Sequence, residues 1–196
     1  MKKIVFNTEP EIMESAVKVF AEQGFHNSSM IKIAGTAGIT LNDLYSKFKN
    51  KGVILNKIFE NVWEHLYRQI SFLKGKDISP IEKINILIDY FFDIFSANPK
   101  LAIVFVNNQI NIPKSYHQWE KYYNQFLDSG EEILRDGKQS GLINKNIDIR
   151  IFRYFLFGGI RYLLDIWAKN PHSIQSSMLR QNVMQIIKRG ITESNC

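Results

Sequence analysis

Apolar residues recur along most of this 196-residue chain at the three- and four-residue spacing of an α-helix. In the first such segment, Ile12, Ala16, Val19 and Phe20 fall on one helix face, the pattern of an element with one buried side. No segment alternates apolar and polar residues as a half-buried strand does. The sequence therefore predicts an all-α fold of about nine helices, whose wide, aromatic-rich apolar faces are typical of a helix bundle.

Two short helices are predicted before residue 50. Ser28 or Ser29 caps the first, because a serine hydroxyl accepts hydrogen bonds from the free N–H groups of a helix start, and Gly38 ends it. Thr40 caps the second, and Asp43 follows three residues later in the position of a capping box. We therefore expect Asp43 to stabilise the start of this helix, where a carboxylate is favoured.

The second short helix has an inward and an outward face. Leu44 and Phe48 are four residues apart and are expected to face the first two helices. The outward face then carries Leu41, Asn42, Ser46 and Lys47. Two short helices joined by a glycine-containing turn form a helix-turn-helix, whose second helix is suited to reading a DNA major groove.

The chain changes character at Lys51. Long amphipathic helices follow, including one that Asp148 caps and one that covers roughly residues 176–189. We predict a DNA-binding domain over residues 1–50 and a helical bundle over residues 51–196, and the family resemblance given below implies that this second domain binds a ligand and dimerises.

Charge and cysteine content restrict the compartment and the partner. The formal charge of +6 and the pI of about 9.3 suit a polyanionic partner. The single cysteine is Cys196, so no disulfide can form within the chain, which favours a reducing compartment. There is neither an export signal nor an apolar run of about 20 residues that could span a bilayer. The sequence predicts a soluble cytoplasmic protein without a membrane partner.

The sequence contains no recognisable catalytic or metal-binding motif. The four histidines, His26, His65, His117 and His172, have no neighbours at metal-ligand spacing, and no phosphate loop or nucleophile motif is present. His117 and Trp119 could line a pocket, although a partly buried aromatic cluster is the commoner reason for such a pattern. Asp89 and Asp93 suit a solvated helix edge better than a cationic ligand. We predict no enzymatic activity, no metal and no cofactor.

The stretch from Ile12 to Leu55 resembles the DNA-binding domain of the TetR (tetracycline repressor) family of bacterial transcriptional regulators. The matching motifs lie at fixed spacing and are Ala16 and Phe20, Gly24-Phe25, Ser28-Ser29, Ile33-Ala34, Ala37-Gly38-Ile39-Thr40, Leu44-Tyr45, Phe48 and Lys51. The chain differs where the family often has Lys-Gly, here Leu41-Asn42, and where it usually has Asp, here Lys32. The rest of the chain resembles the family in architecture alone.

DNA contacts are predicted partly from the residues and partly from the resemblance. Serines at a helix N-terminus can bind phosphate, and the resemblance implies that Tyr45 and Lys51 also hold the DNA backbone. Asn42 could read adenine, and Leu41 could meet a thymine methyl group. Asp43 could accept from cytosine, although capping is expected of it first. The predicted DNA-binding residues are Ser28, Ser29, Thr40, Leu41, Asn42, Asp43, Tyr45, Ser46, Lys47 and Lys51.

The resemblance also implies a homodimer built from the last two helices. Adjacent glycines inside a helix cost about 1 kcal/mol each, so close backbone approach is a reason for Gly158 and Gly159, and a harmless kink is the alternative. The predicted interface residues are Phe155, Gly158, Gly159, Tyr162, Met178, Val183, Ile186 and Ile187.

An apolar or aromatic small molecule is expected to bind among the fifth to eighth helices, whose aromatic content is high. The predicted ligand-binding residues are Phe91, Phe95, Phe105, Asn108, His117, Tyr123, Phe126 and Phe155. The sequence thus predicts a repressor that binds a palindromic operator as a dimer and is released by an effector. The alternative is a small-molecule sensor or carrier bundle whose DNA-binding domain is degenerate.

Overall fold

The computed structural model describes residues 8–108, 119–172 and 175–192. Within these ranges it contains nine α-helices and no strand, which confirms the predicted fold class. The helices are α1 (Glu9–Gln23), α2 (Met30–Ala37), α3 (Leu41–Lys47), α4 (Lys51–Lys74), α5 (Pro80–Ala97), α6 (Pro99–Asn108), α7 (Glu120–Gln139), α8 (Ile149–Lys169) and α9 (Ser176–Ile191).

Helices α1–α3 pack around a small core of their own. Ile12, Phe20, Ile33 and Leu44 are all at most 2% exposed, and each comes from the apolar face that the helical periodicity indicates. Gly38 ends α2 in the left-handed conformation, with φ 67° and ψ 25°. Because a side chain is strained in that conformation, glycine allows the tight turn that sets α3 against α2.

Helix α4 joins this N-terminal unit to the rest of the molecule. Asn50 caps its start by accepting a hydrogen bond from the Val53 N–H at 3.0 Å. Farther along, Phe59, Trp63 and Leu66 are buried as α4 packs against α1, α5 and α7. One helix therefore contacts both the helix-turn-helix and the larger bundle.

An aromatic cluster fills the bundle beside α4. The rings of Phe59 and Phe105 stack with centroids 5.2 Å apart, and the Trp63 and Tyr123 rings meet edge to face at 4.7 Å. The centroids of Phe95 and Phe105 are 4.9 Å apart. Such pairs stabilise the core beyond the area that they bury.

Helix α8 begins at the predicted cap. The Asp148 carboxylate accepts from the Arg150 and Ile151 N–H groups at 2.9 and 3.0 Å, and these backbone hydrogen bonds lower the pKa of Asp148 below its ordinary value. Before α8, the chain turns so closely on α7 that a side chain at Gly137 would overlap Ile143. In the described part of the chain, no helix is both long enough and apolar enough to cross a membrane.

Candidate DNA-binding surface and effector cavity

The start of α3 is fixed by a reciprocal pair of side chains. The Asp43 N–H donates to the Thr40 hydroxyl at 3.1 Å, while the Asp43 carboxylate accepts from the Thr40 N–H at 3.3 Å and from its hydroxyl at 2.6 Å. The predicted capping role of Asp43 is confirmed. Because the carboxylate already accepts two local hydrogen bonds, it serves the geometry of α3 before any base contact.

The outward side of α3 is polar. Asn42, Tyr45, Ser46 and Lys47 are exposed, whereas Leu41 is half-buried against the core. Tyr45 is the largest of these side chains and is 50% exposed. On the opposite side, Leu44 and Phe48 are buried, as predicted. The structure thus presents donors and acceptors on the side of the helix that the core leaves free.

The two serines before α2 differ in position. Ser29 is exposed and caps α2, its hydroxyl accepting from the Lys32 N–H at 3.3 Å. Ser28 is 5% exposed, and its hydroxyl donates to the Phe25 carbonyl at 2.6 Å. The geometry therefore leaves Ser29 available to a phosphate and does not support the phosphate contact predicted for Ser28, whose hydroxyl closes the turn after α1.

Lys51 has a different role from the predicted one. Its ammonium group donates to the carbonyls of Phe25, His26 and Ser28 at 2.8, 2.9 and 2.8 Å and lies 4.9 Å from the Phe25 ring centroid. All three N–H donors of the ammonium group are thereby occupied. This geometry does not support a phosphate contact and makes Lys51 the residue that ties the start of α4 to the α1–α2 turn. A separation of 23 to 26 residues gives no local sequence signal for this contact.

An apolar cavity of about 90 Å³ lies between α4, α5, α7 and α8, and we call it the effector cavity. Of the predicted ligand-binding residues, Phe91 and Phe126 line it. Most of the lining is aliphatic, from residues that sequence reasoning missed, among them Leu87, Ile88 and Leu156. Ordinary ligand pockets measure about 300–1,000 Å³, so a large ligand must spread these helices to enter.

The other predicted ligand-binding residues lie elsewhere. Phe95, Phe105 and Tyr123 belong to the aromatic cluster, and burial raises the pKa of the Tyr123 phenol. The Asn108 side chain is buried and donates to the Val104 carbonyl at 2.8 Å. Phe155 is 73% exposed, and His117 lies outside the described residues. The described members of this group do not line the cavity, because an aromatic stripe fills a core as readily as it lines a cavity, and their role in ligand binding stays a prediction.

One ion pair borders the effector cavity. Arg153 of α8 donates to the Glu131 carboxylate of α7 at 2.6 Å, with the two side chains 18% and 13% exposed. Arg135 also reaches Glu131, at 2.8 Å. Both Glu131 and Arg153 line the cavity. Sequence reasoning missed this pair because its members are 22 residues apart and on different helices.

Helices α8 and α9 expose large apolar side chains. Phe155 and Tyr162 of α8 are 73% and 66% exposed, and Met178 and Ile186 of α9 are 57% and 64% exposed. A side chain at Gly158 or Gly159 would meet no atom within 4 Å, so nothing in this chain requires a glycine there. Ile151, Tyr154 and Ile166 are further exposed apolar residues that were not predicted.

Two predicted interface residues face inward instead. Val183 and Ile187 are 6% and 8% exposed and belong to the core of their own chain. They lie four residues apart on the inner side of α9, whereas the neighbouring Ile186 is 64% exposed. The single chain already buries both side chains, because the periodicity of a helix that is apolar on two sides does not indicate which side faces the core, and their place in an interface stays a prediction.

A helix-turn-helix with an exposed polar side, joined to a helical bundle with an apolar cavity, defines a ligand-responsive DNA-binding regulator. Comparison with known proteins gives the family. Residues 12–58 match the model of the bacterial regulatory proteins of the tetR family, and residues 56–190 match that of the YsiA-like protein C-terminal region. The chain belongs to the TetR family of transcriptional regulators, as the resemblance implied, and the match over residues 12–58 does not favour a degenerate DNA-binding domain.

Relatives match over nearly their whole length. The fatty acid metabolism regulator protein of Bacillus subtilis is 31% identical over 92% of this chain and 94% of its own. The fatty acid degradation regulator FadR of Bacillus halodurans superposes with a TM-score of 0.80 at 26% identity, covering 93% of this chain and 99% of that one. FadR of Bacillus subtilis in complex with stearoyl-CoA also has a TM-score of 0.80, at 28% identity over 94% and 100% of the chains. These relatives are regulators and not enzymes.

Proposed function

We propose that this protein is a dimeric cytoplasmic repressor that binds a palindromic operator and releases it when a long-chain fatty acyl-CoA enters the effector cavity. The observation that carries the proposal is the cavity itself, an aliphatic space with one ion pair at its border. The stearoyl-CoA complex of its Bacillus subtilis relative supports the choice of ligand. An aliphatic lining also suits an acyl chain better than a polar metabolite.

For DNA, we propose that α3 enters the major groove and that Asn42 reads a base edge. Ser29 and Tyr45 are assigned to phosphates, because both are exposed and phosphate contacts position a helix without reading sequence. Asn42→Ala is then expected to weaken operator binding by about 1–3 kcal/mol and random-sequence binding little. An equal loss on both duplexes would mean that α3 enters the groove in another orientation.

For the dimer, we propose that the exposed apolar side chains of α8 and α9 meet those of a second copy. Tyr162 and Phe155 lie on the same side of α8, seven residues apart, with Gly158 and Gly159 between them. A second backbone could approach there, which would explain two adjacent glycines that nothing within the chain requires. Phe155→Asp is expected to give a monomer of 22.9 kDa in sedimentation, whereas Leu142→Asp, exposed outside α8 and α9, is expected to leave the dimer intact.

The effector signal is proposed to pass through α8 and α6. One side of α8 lines the cavity and the other carries the proposed interface, so spreading the cavity would move both. Arg161 of α8 donates to the Val106 carbonyl near the end of α6, and Lys100 at the start of α6 pairs with Glu22 of α1 at 2.6 Å. Movement of α8 would reach the helix-turn-helix by this route. Ligand shifts the population only if it favours one arrangement over the other.

The direct test begins with a duplex that the protein itself selects from random-sequence DNA. Fluorescence anisotropy of that duplex is then followed as palmitoyl-CoA is added, with free CoA and octane-1,2-diol as controls. We expect palmitoyl-CoA to release the DNA and both controls to leave it bound. Release by free CoA at the same concentration would contradict the proposed role of the cavity, and no release by palmitoyl-CoA would contradict the proposed effector.

A further inference from the structure

A basic depression of about 420 Å³ lies on the surface beside the effector cavity. It is lined by charged side chains of α7 and of the start of α8, namely Glu131, Arg135, Lys138, Asp148 and Arg150. Glu131 also lines the cavity, so the two spaces meet at this carboxylate. A ligand chain that leaves the cavity beside Glu131 would enter a polar, cation-lined space.

The depression carries more positive than negative charge. Including Arg153 at the shared border, four cations face two carboxylates. One of the carboxylates, Asp148, already caps α8 through the Arg150 and Ile151 N–H groups. The Ile151 and Arg150 backbone hydrogen bonds lower the pKa of Asp148, and the neighbouring charges of Arg150 and Lys138 lower it further. The remaining positive charge suits an anion with more than one charge.

Glu131 holds the place that such an anion would take. Its two oxygens accept separately from Arg153 at 2.6 Å and from Arg135 at 2.8 Å. A phosphate group offers the same arginines three acceptor oxygens and a larger charge, and arginine binds phosphate in a bidentate manner. A ligand phosphate could therefore replace Glu131 at one or both arginines and release α7 from α8 at the border of the cavity.

We propose that this depression binds the phosphate-bearing head of an effector whose single apolar chain lies in the cavity, with Arg135, Arg150 and Arg153 as the phosphate ligands. This inference rests on the proposed function and adds where the head binds and why it matters. When a ligand phosphate replaces Glu131 at Arg153, the ion pair that joins α7 to α8 is broken. The apolar chain of the ligand meanwhile pushes the two helices apart. A ligand that has the chain but no phosphate spreads the helices and leaves the ion pair between Glu131 and Arg153 intact.

The test uses the full-length protein and tryptophan fluorescence to measure the binding of palmitoyl-CoA, lysophosphatidic acid with the same chain, and palmitate. The variant is Arg135→Gln with Arg150→Gln, two exposed side chains that are not part of the core. The matched control is Lys121→Gln, an exposed cation 14 residues from Arg135 on the same helix, about 21 Å away at the helical rise of 1.5 Å per residue. Circular dichroism and sedimentation establish that the variants keep the wild-type fold and assembly.

We expect the double variant to lose about tenfold or more in affinity for palmitoyl-CoA, because charge-assisted hydrogen bonds are lost. Palmitate affinity is expected to change less than about threefold, and Lys121→Gln to change neither. An equal loss for palmitate and palmitoyl-CoA, or no loss for either, overturns the phosphate site. If the double variant loses affinity for lysophosphatidic acid as it does for palmitoyl-CoA, any single-chain phosphate can occupy the site. If its affinity for lysophosphatidic acid changes as little as that for palmitate, the CoA head is required.

DNA release separates this inference from the function on which it rests. If palmitoyl-CoA releases DNA equally from the wild type and from the double variant, the depression does not bind the head, while the proposed effector stands. If palmitoyl-CoA binds with the expected charge dependence but never releases DNA, the phosphate site stands and the proposed effector role fails. Glu131→Gln provides a further check, because removing the competing carboxylate is expected to raise palmitoyl-CoA affinity, and a fall would overturn the exchange.

Discussion

The helix-turn-helix and the effector cavity are built by opposite means. The residues that shape α3 lie within a few positions of one another, with Thr40 and Asp43 closing its start and Leu44 and Phe48 fixing its inward side. The cavity is lined from α4, α5, α7 and α8, whose contributing residues extend from Ile70 to Ile160. One site is local in sequence, and the other exists only once four helices have packed.

The difference suits the two tasks. DNA presents a fixed groove, so a reading helix gains from rigid caps and a fully packed inner side. An effector must instead move helices, and a cavity that is small and incompletely filled leaves them room to move, since void-lining atoms lack packing partners on one side. Stability is therefore expected to be concentrated around α3, and adaptability around the cavity.

Matched leucine truncations test this contrast most strongly. Leu44 is fully buried and Leu134 is 8% exposed at the cavity wall. Leu44→Ala is expected to cost about 3–5 kcal/mol and to abolish DNA binding, while Leu134→Ala, which already borders empty space, costs nearer 2 kcal/mol. Urea unfolding and DNA anisotropy measure both. Equal losses of stability would mean that the cavity wall is packed as tightly as the helix-turn-helix core.

Two lysines near α3 differ in the same way, because one is expected to stabilise the fold and the other to contact DNA. Lys51 donates to three carbonyls, so Lys51→Met is expected to cost about 1–3 kcal/mol of stability. Lys47 is exposed, so Lys47→Met is expected to leave stability within about 0.5 kcal/mol and to reduce the salt slope of DNA binding by about 0.9. If Lys51→Met leaves stability intact and reduces the salt slope, Lys51 is a phosphate ligand after all.

Sequence reasoning succeeded where the physics is local. The caps at Ser29, Thr40 and Asp148 depend on side chains within three residues of the N–H groups that they accept from, and the inward positions of α3 follow from its helical period. The nine helices of the described ranges could therefore be predicted from caps, breakers and periodicity. The family resemblance covers Ile12 to Leu55, the part of the chain whose local structure was also predicted from caps and periodicity. The two agree because both depend on motifs that are local in sequence.

The effector cavity could not be predicted in the same way. Glu131 and Arg153, like Arg180 with Asp89 and Asp93 between α9 and α5, are brought together only by tertiary packing. Asp89 and Asp93 were expected at a solvated edge, and their side chains are 41% and 62% exposed as expected, but they also pair with Arg180 of another helix. Aromatic content misled for a related reason, since large rings such as Phe105 fill the core while smaller aliphatic residues leave the space that a ligand could enter.

Replacing two glycines by alanine is expected to change stability by smaller amounts and in opposite directions. Gly38 has a φ of 67°, so Gly38→Ala is expected to lose about 1–2 kcal/mol. A side chain at Gly130, inside α7, would lie 3.8 Å from the Ile70 Cδ1 atom in ordinary contact, so Gly130→Ala is expected to gain about 0.5–1 kcal/mol. The added methyl group also narrows the cavity, which Gly130 lines, and is therefore expected to weaken palmitoyl-CoA binding. Thermal unfolding that moves in the same direction for both variants would contradict the contrast.

The ion pair between the two regions is expected to give the smallest effect and a characteristic pH dependence. The Lys100 hydrogen bond lowers the pKa of Glu22 below its ordinary value of 4.5. A carboxylate whose pKa is depressed on folding adds stability above the unfolded pKa and loses it as the pH falls through the folded pKa. The wild type is therefore expected to be more thermally stable than Glu22→Gln at neutral pH, and this difference is expected to be lost as the pH falls below 4.5 and through the lowered pKa of Glu22.

The control for this pair is Glu14→Gln, an exposed carboxylate on the same helix. A general effect of net charge would appear in both variants, whereas an effect of the α1–α6 contact appears in Glu22→Gln alone. Effector response provides the second measurement, because Lys100 ties α6 to the helix-turn-helix and Arg161 ties α6 to α8. If Glu22→Gln releases DNA at the same palmitoyl-CoA concentration as the wild type, the signal reaches α3 without this ion pair, through the packing of α6 on α1 or through α4 with its Lys51 contact.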